Sequence, residues 1–128
     1  MAATKSGFLN GLVARTANSL NGLRAVLKSE WAFRADLVAF AIATAVACAV
    51  PGLSCGERAV MIHAAFMPVL AELANTAIEK TVDRISLERH PLSGLAKDIG
   101  SALVFASFVG AGTCWLVVLV GWAFRTFG

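Results

Sequence analysis

Charge is scarce in this chain of 128 residues: Asp, Glu, Lys and Arg make up 15% of it, against 58% hydrophobic residues. Soluble domains carry about 25% charged residues, so the balance is that of a membrane protein of one domain at most. Cysteine is also sparse. Cys48, Cys55 and Cys114 are unevenly spaced, and two of them fall inside apolar runs. That suits neither a disulfide framework nor a metal site, and they read as small packing residues. The common nucleotide signatures are missing: there is no G-x-x-x-x-G-K-[ST] loop, no strand followed by G-x-G-x-x-G, and no catalytic-loop signature of the protein kinases. A nucleotide, if bound, needs another architecture. The first apolar run begins near residue 37, behind a long polar segment, which is not the order of a signal peptide.

What is present is long stretches without charge. Between Asp36 and Glu57 lie 20 uncharged residues, and between Asp98 and Arg125 lie 26. At about 1.5 Å of rise per residue, a hydrocarbon layer of roughly 30 Å needs about 20 residues, so each run is long enough to span. A third candidate, from Ala59 to Ala71, is apolar apart from His63 and continues as a helical pattern through Glu72, Asn75 and Glu79. It spans only if those polar residues face protein or water.

Lys and Arg are distributed unevenly: five precede the first span, one follows it, four lie between the second and third spans, and one is at the end. The positive-inside bias therefore places the N-terminus and the segment from about 80 to 98 in the cytoplasm and the C-terminus outside. The net charge of +3 is thus a topology signal rather than a nucleic-acid footprint. Ahead of the first span, Phe8, Leu9, Leu12, Val13, Leu20, Leu23, Leu27 and Trp31 recur at intervals of three and four among polar residues. This predicts an amphipathic helix on the cytoplasmic leaflet, with a break or bend near Asn21 and Gly22. Pro51, Gly52, Ser54 and Gly56 predict a short turn between antiparallel helices. Small residues recur every fourth position at Ala39, Ala43 and Ala47, and at Ala102, Ala106, Gly110 and Cys114. Such stripes let helix backbones approach closely, and three short helices need an oligomer to enclose a site.

The second span carries the strongest chemical pattern. Glu72, Asn75, Thr76, Glu79 and Asp83 fall at i, i+3, i+4, i+7 and i+11, one face of a helix. Ionisable groups inside a span are costly and usually functional, although Asp83 and Arg84 also fit a solvated helix end. Carboxylates placed there can hold a divalent cation, act as a general base or relay protons, and spacing alone does not choose among the three. Lys97 and Asp98, with Ser93, Gly94 and Ser101 nearby, add a cation suited to phosphate, though a Lys-Asp pair at a helix entry also fits plain anchoring. Glu30 is a third interfacial carboxylate, with Arg34 at i+4 as its ordinary ion-pair partner.

The segment Glu72-Leu-Ala-Asn75-Thr76-Ala-Ile-Glu79-Lys-Thr-Val-Asp83-Arg84 resembles the signature of the prokaryotic diacylglycerol kinase family. His90-Pro-Leu-Ser-Gly-Leu-Ala-Lys97-Asp98-Ile-Gly-Ser101 is similar to its second block, and Gly22-Leu-Arg24 with Glu30-Trp-Ala-Phe33-Arg34 to an N-terminal one. The resemblance runs from about residue 7 to the end. It implies a homotrimer of three-span subunits in the bacterial inner membrane, transferring the γ-phosphate of ATP, with Mg2+, to diacylglycerol to give phosphatidic acid. Glu72 would be the general base, and Glu30 and Glu79 would hold the metal. ATP would lie against Asn18, Glu30, Glu79, Glu88, Arg89, His90, Lys97 and Asp98. The lipid would meet Arg24, Trp31, Phe33, Arg34, Ser101 and Trp115, with Asn75 and Asp83 supporting the site. The chain departs from the family pattern at Ala74, where a larger aliphatic is usual, at Asn10, where an arginine is usual, and at Asn18, where a tyrosine meets the nucleotide.

The expected architecture is an all-α membrane protein: an N-terminal amphipathic surface helix over 1–35 and a three-span core over 36–128, with spans at about 36–55, 58–84 and 97–124. Two other readings stand beside the diacylglycerol kinase. A polyprenol kinase of the same family would keep the catalytic residues and change the lipid. A non-enzymatic proton or ion pathway would use Glu72 as relay but would leave Lys97, Glu30 and the cytoplasmic segment without a purpose. His63 lies nine residues from Glu72, too far along the helix for contact, and is expected to have a packing or interface role. Pro68 is expected to bend the second span one turn before Glu72.

Overall fold

In the computed structural model of the protein the backbone is described for residues 2–128 and the side chains from residue 10 onward, so Lys5, Phe8 and Leu9 of the expected surface helix lie outside the described side chains. Four helices follow one another: α1 (Ala2–Ser29), α2 (Trp31–Ala49), α3 (Cys55–Ile85) and α4 (Pro91–Phe127). No strand occurs among the described residues. The chain divides into two compact units, Met1–Trp31 and Ala32–Gly128.

The first unit is α1. It runs without a break through Asn21 and Gly22, contrary to the expected interruption. One glycine costs a helix about 1 kcal/mol, and the flanking Leu20, Leu23, Arg24 and Ala25 are helix formers that carry it. Leu12, Val13, Leu20, Leu23 and Leu27 are exposed, as are the polar residues between them.

In the second unit, α2 begins at Trp31 and stops at Ala49, short of the expected position 55. Pro51 disfavours helical backbone at Val50, and Gly52 takes φ +77°, a left-handed conformation that glycine adopts without strain. Ser54 then caps α3 with a reciprocal box: its Oγ accepts from the Glu57 amide at 3.2 Å, while the Glu57 carboxylate accepts from the Ser54 amide at 2.8 Å. The turn is clamped from three sides. Arg58 donates to the carbonyls of Ala47 (2.6 Å), Cys48 and Val50 (2.9 Å), groups that the end of a helix leaves without an intrahelical partner. The Trp122 indole of α4 donates to Pro51 O at 2.7 Å, and Arg125 pairs with Glu57. Beneath the turn, Ala47, Leu53 and Met61 form the core, packed by Trp115, Val118, Leu119 and Trp122.

The principal helix packing is α3 against α4. His90 caps α4, its Nδ1 accepting from the Leu92 amide at 3.2 Å, and Pro91 occupies the first turn, where its missing N–H costs nothing. Three helices, α2, α3 and α4, are long and apolar enough to cross a membrane, with mean hydropathies of 1.7, 1.3 and 2.3. By their residue counts of 31 and 37, α3 and α4 reach about 46 and 56 Å, well beyond a hydrocarbon layer of roughly 30 Å. Their adjoining ends, at residues 79–98, are rich in charged side chains and hold the candidate site.

Candidate active site

The polar stripe of α3 occupies the second half of the helix, and its first residues are buried. Among the described residues, Glu72, Asn75 and Thr76 are the buried polar side chains, at 9%, 7% and 5% exposure. One turn further, Glu79 is half-buried, and its Oε1 accepts a hydrogen bond from Asn75 Nδ2 at 3.1 Å. The amide thereby fixes the rotamer of the carboxylate one turn away. Asn75 Oδ1 is buried without a hydrogen-bond partner among the described residues. It lies against α4 at Gly100, where an added Cβ would stand 2.3 Å from it. Gly100 is buried, and its missing side chain is what lets α4 close over Asn75.

Beyond Glu79 the adjoining helix ends enclose a cavity of about 480 Å³, lined from α3 by Val82 and Asp83, from the connection by Ser86 to His90, and from α4 by Pro91, Ser93, Gly94 and Lys97. Lys97 Nζ donates to Asp83 Oδ1 across its wall at 2.6 Å. Ser86 Oγ accepts from the Glu88 amide at 3.0 Å and shapes the connection. Because His90 Nδ1 is an acceptor, its Nε2 carries the proton in the neutral ring.

The site residues expected from the sequence thus fall into five places. Glu72, Asn75 and Glu79 share one face of α3. Asp83, Glu88, Arg89, His90 and Lys97 line the cavity, and Asp98 and Ser101 follow on α4, exposed. Asn18, Arg24, Glu30 and Trp31 belong to the N-terminal unit, where Glu30 Oε1 accepts from Ser29 Oγ at 2.9 Å. At the start of α2, Phe33 is buried and Arg34 exposed. Trp115 is placed elsewhere. Its indole donates to Met61 O at 2.9 Å, and Met61 lies about 16 Å along α3 from Glu72, so within one chain it does not reach that carboxylate. The sequence reading missed the contact of Gly100 with Asn75; the signal was a glycine one turn after Lys97 on a helix facing the polar stripe.

Glu79 offers hard carboxylate oxygens, the kind that suits Mg2+, an ion that keeps several waters and takes one or two carboxylates together with substrate phosphates. No cluster of three or more His, Cys, Asp or Glu side chains occurs among the described residues.

Fold and site together define an all-helical protein with three helices long and apolar enough to cross a membrane, a buried polar stripe on one of them, and beyond it a cavity lined by charges of both signs. A family model described as prokaryotic diacylglycerol kinase matches residues 17–119, and the chain belongs to that family. It is 42% identical over 113 residues to a diacylglycerol kinase of Pseudomonas aeruginosa, a match covering 88% of this chain and 91% of that protein. It is 37% identical over 119 residues to that of Escherichia coli K12, covering 93% and 96%. A diacylglycerol kinase of Haemophilus influenzae is 39% identical over 117 residues, covering 87% and 93%.

Proposed function

We infer that the chain is a membrane lipid kinase that transfers a phosphate from ATP to diacylglycerol. Membership of the family carries the activity, and near-full-length similarity to several diacylglycerol kinases favours that lipid over a polyprenol. The observation that supports the site is the burial of Glu72 on the same helix face as the hydrogen-bonded Asn75 and Glu79, directly before the Lys97 cavity.

In this reading Glu72 is the general base. Its carboxylate accepts the proton of the lipid hydroxyl as that oxygen forms a bond to the γ-phosphorus and the bond from phosphorus to the bridging oxygen of ADP breaks. The products are phosphatidic acid and ADP. Such transfer demands positioning and neutralisation of charge more than covalent chemistry. Lys97 supplies a cation to the phosphates, and Glu88, Arg89, His90 and Asp98 line the nucleotide's approach together with Asn18. Glu79 and Glu30 would hold Mg2+, which supplies charge neutralisation on the phosphates. Asn75 keeps Glu79 in place. Arg24, Trp31, Phe33, Arg34 and Ser101 are assigned to the lipid, and Trp115 to its apolar part.

The enzyme is proposed to work as a homotrimer in the inner membrane, with the N-terminus and the 80–98 segment cytoplasmic and the C-terminus periplasmic. The charge asymmetry supports the orientation. The test is ADP release from MgATP by the protein in detergent micelles, with diacylglycerol or undecaprenol as acceptor. Diacylglycerol-dependent turnover is expected, with Glu72→Gln lowering it by about 10²–10⁴-fold and Glu79→Gln raising the Mg2+ requirement. Turnover with undecaprenol alone would move the substrate to a polyprenol, and turnover that survives Glu72→Gln would overturn the assignment of the base.

A further inference from the structure

Lys97 and Asp83 sit on opposite helices, α4 and α3, on the wall of one cavity, and the Nζ–Oδ1 distance is 2.6 Å. Both side chains remain substantially exposed, at 39% and 44%. An ion pair in that setting adds little to stability, because water solvates both charges almost as well. Lys97 is the only lysine among the described residues that lines this cavity. The pair does have one strong consequence. While it is formed, the lysine is committed to a carboxylate and withheld from any anion entering the cavity.

We propose that Asp83 is a positioning residue for Lys97: it holds the ammonium at the cavity wall while nucleotide is absent and yields it to the polyphosphate, so carboxylate and nucleotide compete for one cation. This rests on the reading of the cavity as the nucleotide site. The exchange needs no helix movement. Lysine carries its charge on a flexible four-carbon stem, whereas α3 and α4 are locked together one turn beyond Lys97, where Asn75 occupies the space that a side chain on residue 100 would fill. A polyphosphate bears several negative charges against one on Asp83, so it wins the cation when bound. When it leaves, Asp83 recaptures the ammonium near its working position. The other charged groups of the cavity, Glu88 and Arg89, belong to the connection between the helices and do not bridge its wall to Lys97.

The decisive measurement is the dissociation constant of a nonhydrolysable ATP analogue with Mg2+, at fixed salt, for the full-length protein in micelles and for Asp83→Asn, Lys97→Met and the double variant. Asp83→Asn is expected to bind about two- to fivefold more tightly, the range an exposed pair is worth. Asp83→Glu, which can re-form the pair, should stay close to the wild-type value. In the Lys97→Met background, neutralising Asp83 should give no gain, because nothing remains to compete for. An equal gain in that background would reduce the effect to the general field of one carboxylate and overturn the proposal. Unchanged or weaker binding by Asp83→Asn would also overturn it, and Asp83→Ser must agree with Asp83→Asn, which guards against a local packing effect of either side chain. Lys97→Met binding the analogue as tightly as wild type would instead sink the nucleotide-site reading itself, an outcome distinct from a Lys97-dependent site without competition.

Discussion

At the scale of single residues, the site is a problem of polar atoms in an apolar helix. Glu72, Asn75 and Thr76 are buried in the second half of α3, and each buried polar group costs stability unless it is compensated. Asn75 shows how sparing the compensation is: Nδ2 is spent on Glu79 while Oδ1 rests against Gly100 without a donor. The contact predicts that Gly100→Ala is damaging. A methyl group 2.3 Å from Asn75 Oδ1 must push the side chain off its rotamer or α4 off α3. Overpacking of this kind costs about 1–3 kcal/mol. Thermal unfolding in micelles should show that loss, and diacylglycerol-dependent ADP release should fall with it because Glu79 loses its tether. Wild-type values for both would mean that Asn75 is free to turn away.

At the scale of elements, α3 is the helix that does two jobs. Its first half is a packing element, started by the Ser54–Glu57 box and clamped by Arg58, and its second half presents the carboxylates. The two jobs are separable in space: Arg58 and Glu72 are about 21 Å apart along the axis. Loss of the cap in Ser54→Ala should therefore lower stability by about 0.5–2 kcal/mol. Arg58→Met should cost more, because a charged donor to three carbonyls is removed. Neither change should move the KM for ATP by more than about twofold, since both lie outside the site. Unfolding curves and steady-state kinetics on the same preparations check both halves of the expectation. Pro68 sits within α3, buried, and the helix continues through it.

At the scale of the molecule, α4 is the informative element. It is the most apolar helix, with a mean hydropathy of 2.3, yet none of its most apolar window is buried within one chain. Phe105, Phe108, Leu116, Val117 and Phe124 face outward, which in water would be an aggregation surface. Between α3 and α4 runs an apolar groove of about 600 Å³, floored by Ala64, Ala106, Gly110 and Cys114, with His63 exposed at its wall. Surfaces of this kind are met by lipid and by other helices. The proposed trimer predicts a protein mass of three chains by light scattering in micelles after subtraction of detergent. A single-chain mass in a preparation that turns over diacylglycerol would remove the trimer from the mechanism.

Much of this protein was already determined by its sequence alone. The charge-free runs set the three membrane helices, because a bilayer tolerates few exceptions to apolar side chains. The spacing of Glu72, Asn75 and Glu79 placed them on one face, because the helical period leaves no other arrangement. Tertiary structure alone decided which groups meet across helices. That Asp83 takes up Lys97, that Gly100 receives Asn75, and that Trp115 turns to Met61 depends on how α3 and α4 register against each other. That register is set by side-chain fit along the whole contact, a sum of many small interactions that no local pattern encodes.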